Sequence, residues 1–470
     1  MDHAKAWLGV RSRGQVLATI LVLAVVIAGA VYAEREVGAR DLAAGPSGAA
    51  PSGAWFCPHG GGPDWVVTIE LANPGTDPVH VRLTRMGRGK PGTAADIALQ
   101  PGQTDLVPVP AEDRASGTLV EYFGGFVAAG WVAHAGSDAN GVAAEPCAPS
   151  AGDRWLLPDA STLQNDQAFV VVMNPFAATA VFSLTVYTDK SEPIRTEDWT
   201  DVVLKPFRAQ AFRLNAKALG YDSVSTVVDA SVGRIAASSL DLTTTGGIRS
   251  SLGYLGRAPM TVVLPAGFDQ GRTVLSVLSS TPERIALEGI LLEHDASQPV
   301  AGLADSSPPG ESARSFPATT NGPSAIVLTA NGGGVAVARR TFGVANDQGS
   351  TIGAVPSAAW VILPTVAGSP NHPGLVLANP GTEPAELTLT YLPSLDARSV
   401  PGPVTVTVPP GRVIQGPKDF VAASPLSAIL ATSSSGTFVP AGASYSLGRE
   451  GAATYAVALG VPVPKAWLPS

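Results

Sequence analysis

Charge, histidine and cysteine are all scarce in this chain of 470 residues, and each scarcity removes a class of function. Only 14% of the residues are charged, with 30 Lys and Arg against 38 Asp and Glu, so the net charge is −8. No basic stripe runs through the sequence that would displace counterions from phosphate backbones, which argues against a nucleic-acid partner. Six scattered histidines and two cysteines leave little material for a metal site, and no cofactor is implied. Catalytic signatures are missing too: there is no GxSxG elbow, SxxK, HExxH, EF-hand loop or Walker loop.

Two glycine-rich strings invite a catalytic or phosphate-binding reading and do not sustain it. His59-Gly60-Gly61-Gly62 has the spacing of an oxyanion-hole loop, but without a nucleophile elbow it reads as a flexible loop. Gly87-Arg88-Gly89-Lys90-Pro91-Gly92 has GxGxxG spacing, yet it runs into more strand pattern instead of a helix. It reads as a basic hairpin loop.

What the chain does have is a repeat. Trp55-Phe56-Cys57-Pro58, Trp155-Leu156-Leu157-Pro158, Val262-Val263-Leu264-Pro265, Trp360-Val361-Ile362-Leu363-Pro364 and Trp467-Leu468-Pro469 are five copies of one motif. Their prolines stand 100, 107, 99 and 105 residues apart. A second landmark, the glycine before an apolar strand at Gly125, Gly233, Gly334 and Gly436, repeats at 108, 101 and 102. Two landmarks holding one period mark true internal repeats, at 54–153, 154–259, 260–358 and 359–470.

Inside each unit the pattern is that of β-strands. Asn73-Pro74-Gly75, Asn174-Pro175 and Asn379-Pro380-Gly381 end one strand in a turn, and unit three has Ser279-Ser280-Thr281-Pro282 there. Alternating strands follow, such as Val79–Leu83 and Leu387–Thr390. The fold class is therefore all-β, as four tandem Ig-like β-sandwiches of about 100 residues with six or seven strands each. A β-propeller-like closed array is the alternative, because a partial fifth motif at the C-terminus is what a ring closed on itself would carry. In the open array, Trp467 completes the last unit's final strand or its edge. Single helical turns are expected near Asn215–Leu219 and Lys418–Val421.

The N-terminal region reads as an address. Residues 1–15 carry Lys5, Arg11 and Arg13, and Val16–Ala33 is an uncharged, mostly apolar run. Eighteen helical residues cover about 27 Å, enough to span a bilayer core. The charge bias puts the N-terminus inside and the repeats outside a membrane. A signal peptide cleaved after Ala30 or Ala33 is the alternative and also exports the rest, as a secreted protein. Residues 34–53 form an Ala/Gly/Pro/Ser-rich linker. Cys57 and Cys147, at the two ends of unit one, pair as a disulfide if the first and last strands lie side by side. Closing that loop would stabilise by roughly 4 kcal/mol.

Candidate ligand contacts are few. Tyr187 and Trp199, with the acidic stretch 189–201, could form a sugar-stacking edge; the alternative is a solvated hairpin tip with one packed Trp. Glu197 and Asp198 are the nearest thing to a carboxylate pair. Arg339-Arg340, after the long polar stretch 294–322, could meet an anionic glycan, or could simply end a strand in solvent.

The Trp/Pro motifs, Asn73-Pro74-Gly75 and Asn379-Pro380-Gly381 resemble those of actinobacterial exported β-repeat proteins of unknown function. The resemblance implies a single membrane anchor and β domains, and it carries over no catalytic residues. The expectation is a non-enzymatic, membrane-tethered protein of the cell envelope, a spacer or a scaffold for protein or cell-wall glycan. The alternative is an exported enzyme or accessory subunit acting on envelope polysaccharide.

Overall fold

The computed structural model describes residues 52–136, 141–190, 192–243, 247–266, 272–303, 310–320, 322–331, 335–343, 347–365, 372–397, 399–446 and 454–468. The 16–33 run and nearly all of the linker lie outside these. Among the described residues no helix is long and apolar enough to cross a membrane.

The first repeat contains eight strands: Ser52–Cys57, Val66–Ala72, Val79–Met86, Gly92–Leu99, Thr104–Val109, Gly117–Phe123, Ala128–His134 and Val142–Pro146. They form two antiparallel four-stranded sheets, in the order first-sixth-third-fourth and fifth-second-seventh-eighth. The same order recurs in the other three repeats, which begin at Arg154–Ala160, Thr261–Ala266 and Ala359–Ile362. Eight strands are one or two more per repeat than the sequence pattern shows. Only the third–fourth and seventh–eighth pairs are hairpins. That order differs from the ABED and CFG division of an immunoglobulin constant domain, although the sandwich architecture is shared.

The recurrent residues are the ones that hold this topology. The indole N–H groups of Trp55, Trp155 and Trp360 donate to the carbonyls of Val127, Ile235 and Phe438 at 2.7, 2.7 and 2.8 Å, tying the first strand to the start of the seventh. Asn73, Asn174 and Asn379 act as pins. Each side-chain amide donates to the carbonyl four residues on at 2.8 Å, and also to the end of the fourth strand, at Leu99, Leu204 or Val408. Each carbonyl oxygen accepts from the N–H two residues on. The pin satisfies buried backbone groups that the turn would otherwise orphan.

The residue after the eighth strand returns to pair with the first strand in every repeat. This is a bridge at Phe56–Ala148 and Val263–Ala354, and a short added strand at Tyr254–Leu255 and Val461–Pro462. In repeat one Cys57 and Cys147 form a disulfide at this place, closing a separation of 90 residues. Trp467 does not complete a strand. It sits in a 3-10 turn, Lys465–Trp467, half-buried against the apolar cluster that repeats one and four share.

Residues 51–470 form one compact unit. The first sheet of each repeat packs on the second sheet of the next, and the fourth repeat packs back on the first. At each joint the third–fourth hairpin of one repeat accepts a hydrogen bond from the fifth strand of its successor. Ala209 N–H donates to Gly87 O at 3.1 Å, Val413 N–H to Glu293 O at 3.3 Å, and Thr104 N–H to Pro393 O at 2.8 Å. Between repeats two and three the donor is a side chain, Arg314 Nη1 to Asp189 O at 3.2 Å. The four eighth strands meet one another in cyclic order around the centre. Within residues 51–470 four sandwiches thus follow one another head to tail, with the fourth in contact with the first.

Packing of each repeat on the one before it explains why the second and seventh strands show no alternation. Gln167–Asn174 and Ala236–Thr243 are buried along nearly their whole length, because one face lines its own sandwich and the other faces the preceding repeat. Ala at these positions lets neighbouring backbones approach closely.

Candidate functional site

All four residues expected at a ligand surface are buried. Trp199 ends the 3-10 turn Glu197–Trp199 and packs in the core of repeat two. Tyr187 lies in the apolar cluster shared by repeats two and three. Asp198 is engaged by Lys217 at 2.9 Å. The Arg339 guanidinium lies between the sheets of repeat three and donates to Leu264 O and Ser324 O, both at 3.1 Å, and to Thr273 Oγ1 at 2.9 Å. Both arginines sit on the seventh strand, Val335–Phe342, which runs between two neighbours in its sheet and is covered on both faces. A solvent-facing strand end is therefore ruled out along with the glycan contact. The His59 loop is also ordered: Gly60 and Gly62 donate to Ser116 O and Ala111 O, and burial pushes the His59 imidazole down to about 4.

Arg340 belongs to a buried ionic network that fastens repeat two to repeat three. Asp159 Oδ1 accepts from Arg340 Nη2 at 2.7 Å and Nε at 3.2 Å, and from Ser276 Oγ at 2.8 Å. Asp159 Oδ2 accepts from Ser350 Oγ at 2.8 Å and lies 3.4 Å from Arg249 Nε. Arg249 also contacts Asp241 and Gln348, and Arg340 reaches Asp222 at 3.2 Å. Burial by itself would raise the Asp159 carboxyl, but Arg340 and Arg249 outweigh it and hold the group well below the usual carboxylate range. Burial pushes Asp241 up to about 7 despite Arg249. Both oxygens of Asp159 are engaged by groups of the two repeats, while Asp241 Oδ1 is buried without a hydrogen-bond partner, and the network acts as a fastening between the repeats.

An open polar surface lies instead at the joint of repeats one and two. A groove of about 410 Å³ is lined by Arg88 from the first repeat and by Val203, Leu204, Lys205, Arg208, Ala209, Gln210 and Ala211 from the second. Arg88 stands on the third–fourth hairpin. Lys205 and Arg208 flank the turn between the fourth and fifth strands, which Asn174 grips through Lys205 O at 3.2 Å. At the left-handed position of this turn repeats one and four use Gly102 and Gly411, at φ 65° and 62°, but repeat two has Phe207 at φ 52°. A side chain there is strained, by about 1 kcal/mol. Packing of the ring against the core of repeat two and the bond from Phe207 N–H to Phe176 O hold it.

Beside the groove a smaller cleft of about 160 Å³ is lined by Arg85, Arg88 and Lys90 together with Glu112 and Asp113. Arg88 lies 3.8 Å from Asp113, an exposed and loose pair. Among the described residues no group of three or more His, Cys, Asp or Glu side chains converges as a metal site would require. The sequence shows the hairpin as basic but gives no sign that Lys205 and Arg208, more than a hundred residues later, come beside it.

Residues 111–249, covering the end of repeat one and most of repeat two, match the model of a family of unknown function, DUF5719. No curated protein matches the chain. Among solved structures, a crystal structure of Thermotoga maritima 1070 is similar at 18% identity and a TM-score of 0.20, covering 22% of this chain and 93% of that one. Trypsin-activated alpha-2-macroglobulin from Escherichia coli is similar at 11% identity and a TM-score of 0.11, covering 87% of this chain and 42% of that one. Similarities this slight bear on neither fold nor function.

Proposed function

We propose that the chain is a non-enzymatic scaffold of the cell envelope, tethered by Val16–Ala33, with its ring of sandwiches outside the membrane and the groove between repeats one and two as its binding surface. The Cys57–Cys147 disulfide carries this reading. Such a bond persists in oxidising compartments and is rare in the cytosol, so it suits an extracytoplasmic domain. The ring supports a scaffold role as well. Its buried ionic network fastens repeat two to repeat three, and the groove between repeats one and two is open. An actinobacterial envelope is the setting that the sequence resemblance implies.

Protease shaving of intact cells that make the full-length protein tests the location, together with alkylation of its thiols before and after reduction. The expected result is digestion of the repeats from outside, a membrane-bound N-terminal remnant, and two thiols alkylated only after reduction. Repeats protected in intact cells, with Cys57 and Cys147 reduced, would refute the reading.

A further inference from the structure

We propose that the groove between repeats one and two binds an anionic polysaccharide of the envelope, gripping phosphate or carboxylate groups that recur along its chain. The inference rests on the scaffold reading above and names the ligand class of that same site.

The groove wall carries three cations, Arg88, Lys205 and Arg208, and no carboxylate, on a chain whose net charge is −8. The adjoining cleft adds Arg85 and Lys90 but also Glu112 and Asp113, and Asp113 lies 3.8 Å from Arg88. Ring construction does not require these charges. The equivalent joint between repeats three and four brings Glu293, on a hairpin with His294 and Asp295, onto Val413. The closing joint brings Pro393 onto Thr104, beside Gln103. The joint between repeats three and four does carry Arg412, which stands where Arg208 does and likewise donates through Nη1 to the preceding carbonyl. Among the described residues Arg88 and Lys205 have no cationic arginine or lysine counterpart at that joint, so these two charges serve something other than the backbone contact.

The geometry favours a polymer over a single small anion. A lone oxyanion is normally held in an enclosed nest of N–H donors, whereas this groove is open, Arg88 and Lys205 are exposed, and half-buried Arg208 donates through Nη1 to Pro206 O and Phe207 O. A contact to an exposed cation is weak when made singly. A chain that presents several anionic groups engages them together and releases counterions as it does so, which turns weak contacts into useful affinity. Val203, exposed at 61% on the same wall, offers an apolar face for the carbon skeleton between charges. Gln210 offers an amide.

The test uses the full-length protein in detergent on immobilised polygalacturonate, on a glycerol-phosphate polymer, on neutral dextran and on duplex DNA, across a salt series. The expected result is salt-sensitive retention on one or both anionic matrices and none on dextran, the two anionic arms telling carboxylate from phosphate. Lys205→Gln, Arg208→Gln and Arg88→Gln should each weaken retention about threefold, and the triple variant about 30-fold with a flatter salt dependence. Arg257→Gln, an exposed cation outside the groove, should retain as the parent does. Unchanged melting of the triple variant separates lost binding from lost folding. Equal retention of parent and triple variant, absence of binding to both anionic matrices, or stronger retention on duplex DNA would each overturn the proposal. Cell-surface location under shaving would survive any of these results, so the two readings fail separately.

Discussion

Replacing Asp159 by Asn should weaken the ring at one identifiable joint. The carboxylate accepts from Arg340, Ser276 and Ser350 and lies beside Arg249, with no exposure to solvent. Asn keeps the shape but removes the charge. Whichever way its amide turns, an N–H₂ group then faces donors that had an acceptor. Breaking a buried ion pair from one side destabilises by about 3–5 kcal/mol. The lower end, about 3 kcal/mol, is expected, because Asp241 already touches Arg249 and can take over as counter-ion.

That substitution of roles gives the prediction a pH signature. In the parent, the Asp241 carboxyl is raised to about 7, so the folded state binds a proton that the unfolded state has released above about 4. Stability contributed by this group is therefore lost as pH rises from about 4 to 7. Asp159 runs the other way: its depressed carboxyl gives stability that is present above about 4 and lost as pH falls further. Once Asp159 is Asn, Asp241 should ionise in the folded protein and its slope should vanish. The penalty of the substitution should thus be about 2 kcal/mol larger at pH 5 than at pH 7.5. Urea denaturation of the full-length protein, followed by tryptophan fluorescence at both pH values, measures it. A loss below about 1 kcal/mol, or the same loss when Arg340→Gln is already present, would refute the network as the fastening of this joint.

Two further predictions address the closing joint between repeats four and one. The Thr104 hydroxyl, fully buried, donates to Leu392 O at 2.6 Å and accepts from Ala428 N–H at 3.1 Å. Thr104→Val should orphan both backbone groups and lower stability by about 2 kcal/mol, whereas an open array would leave the same substitution near neutral in denaturation. Glu70 lies opposite Gly130, which Leu363 of repeat four covers, and its Oε1 has no hydrogen-bond partner. Burial raises its carboxyl well above the usual range, so the parent loses stability as pH rises above about 4. Glu70→Gln should match the parent near pH 4.5 and exceed it increasingly toward pH 8; parallel melting-temperature curves would contradict this placement.

The sequence by itself determined the repeat, its period, its strand character and the residues that pin each unit. These properties are local: a Trp starting a strand, an Asn ending one and alternation along a third impose the same structure wherever they recur. The disulfide was legible for a related reason, since the two cysteines stand at opposite ends of one unit whose ends must meet. The tertiary structure alone decided that the fourth unit packs on the first, because closure depends on the angle between successive sandwiches and no residue encodes that angle. It also reversed the reading of Arg339 and Arg340. Two adjacent arginines look solvent-exposed in a strand with one covered face, and the packing of repeat two on repeat three covers the second. By the same geometry Arg88 meets Lys205 and Arg208 across a joint, so the one cationic groove described here comes from how the units are joined.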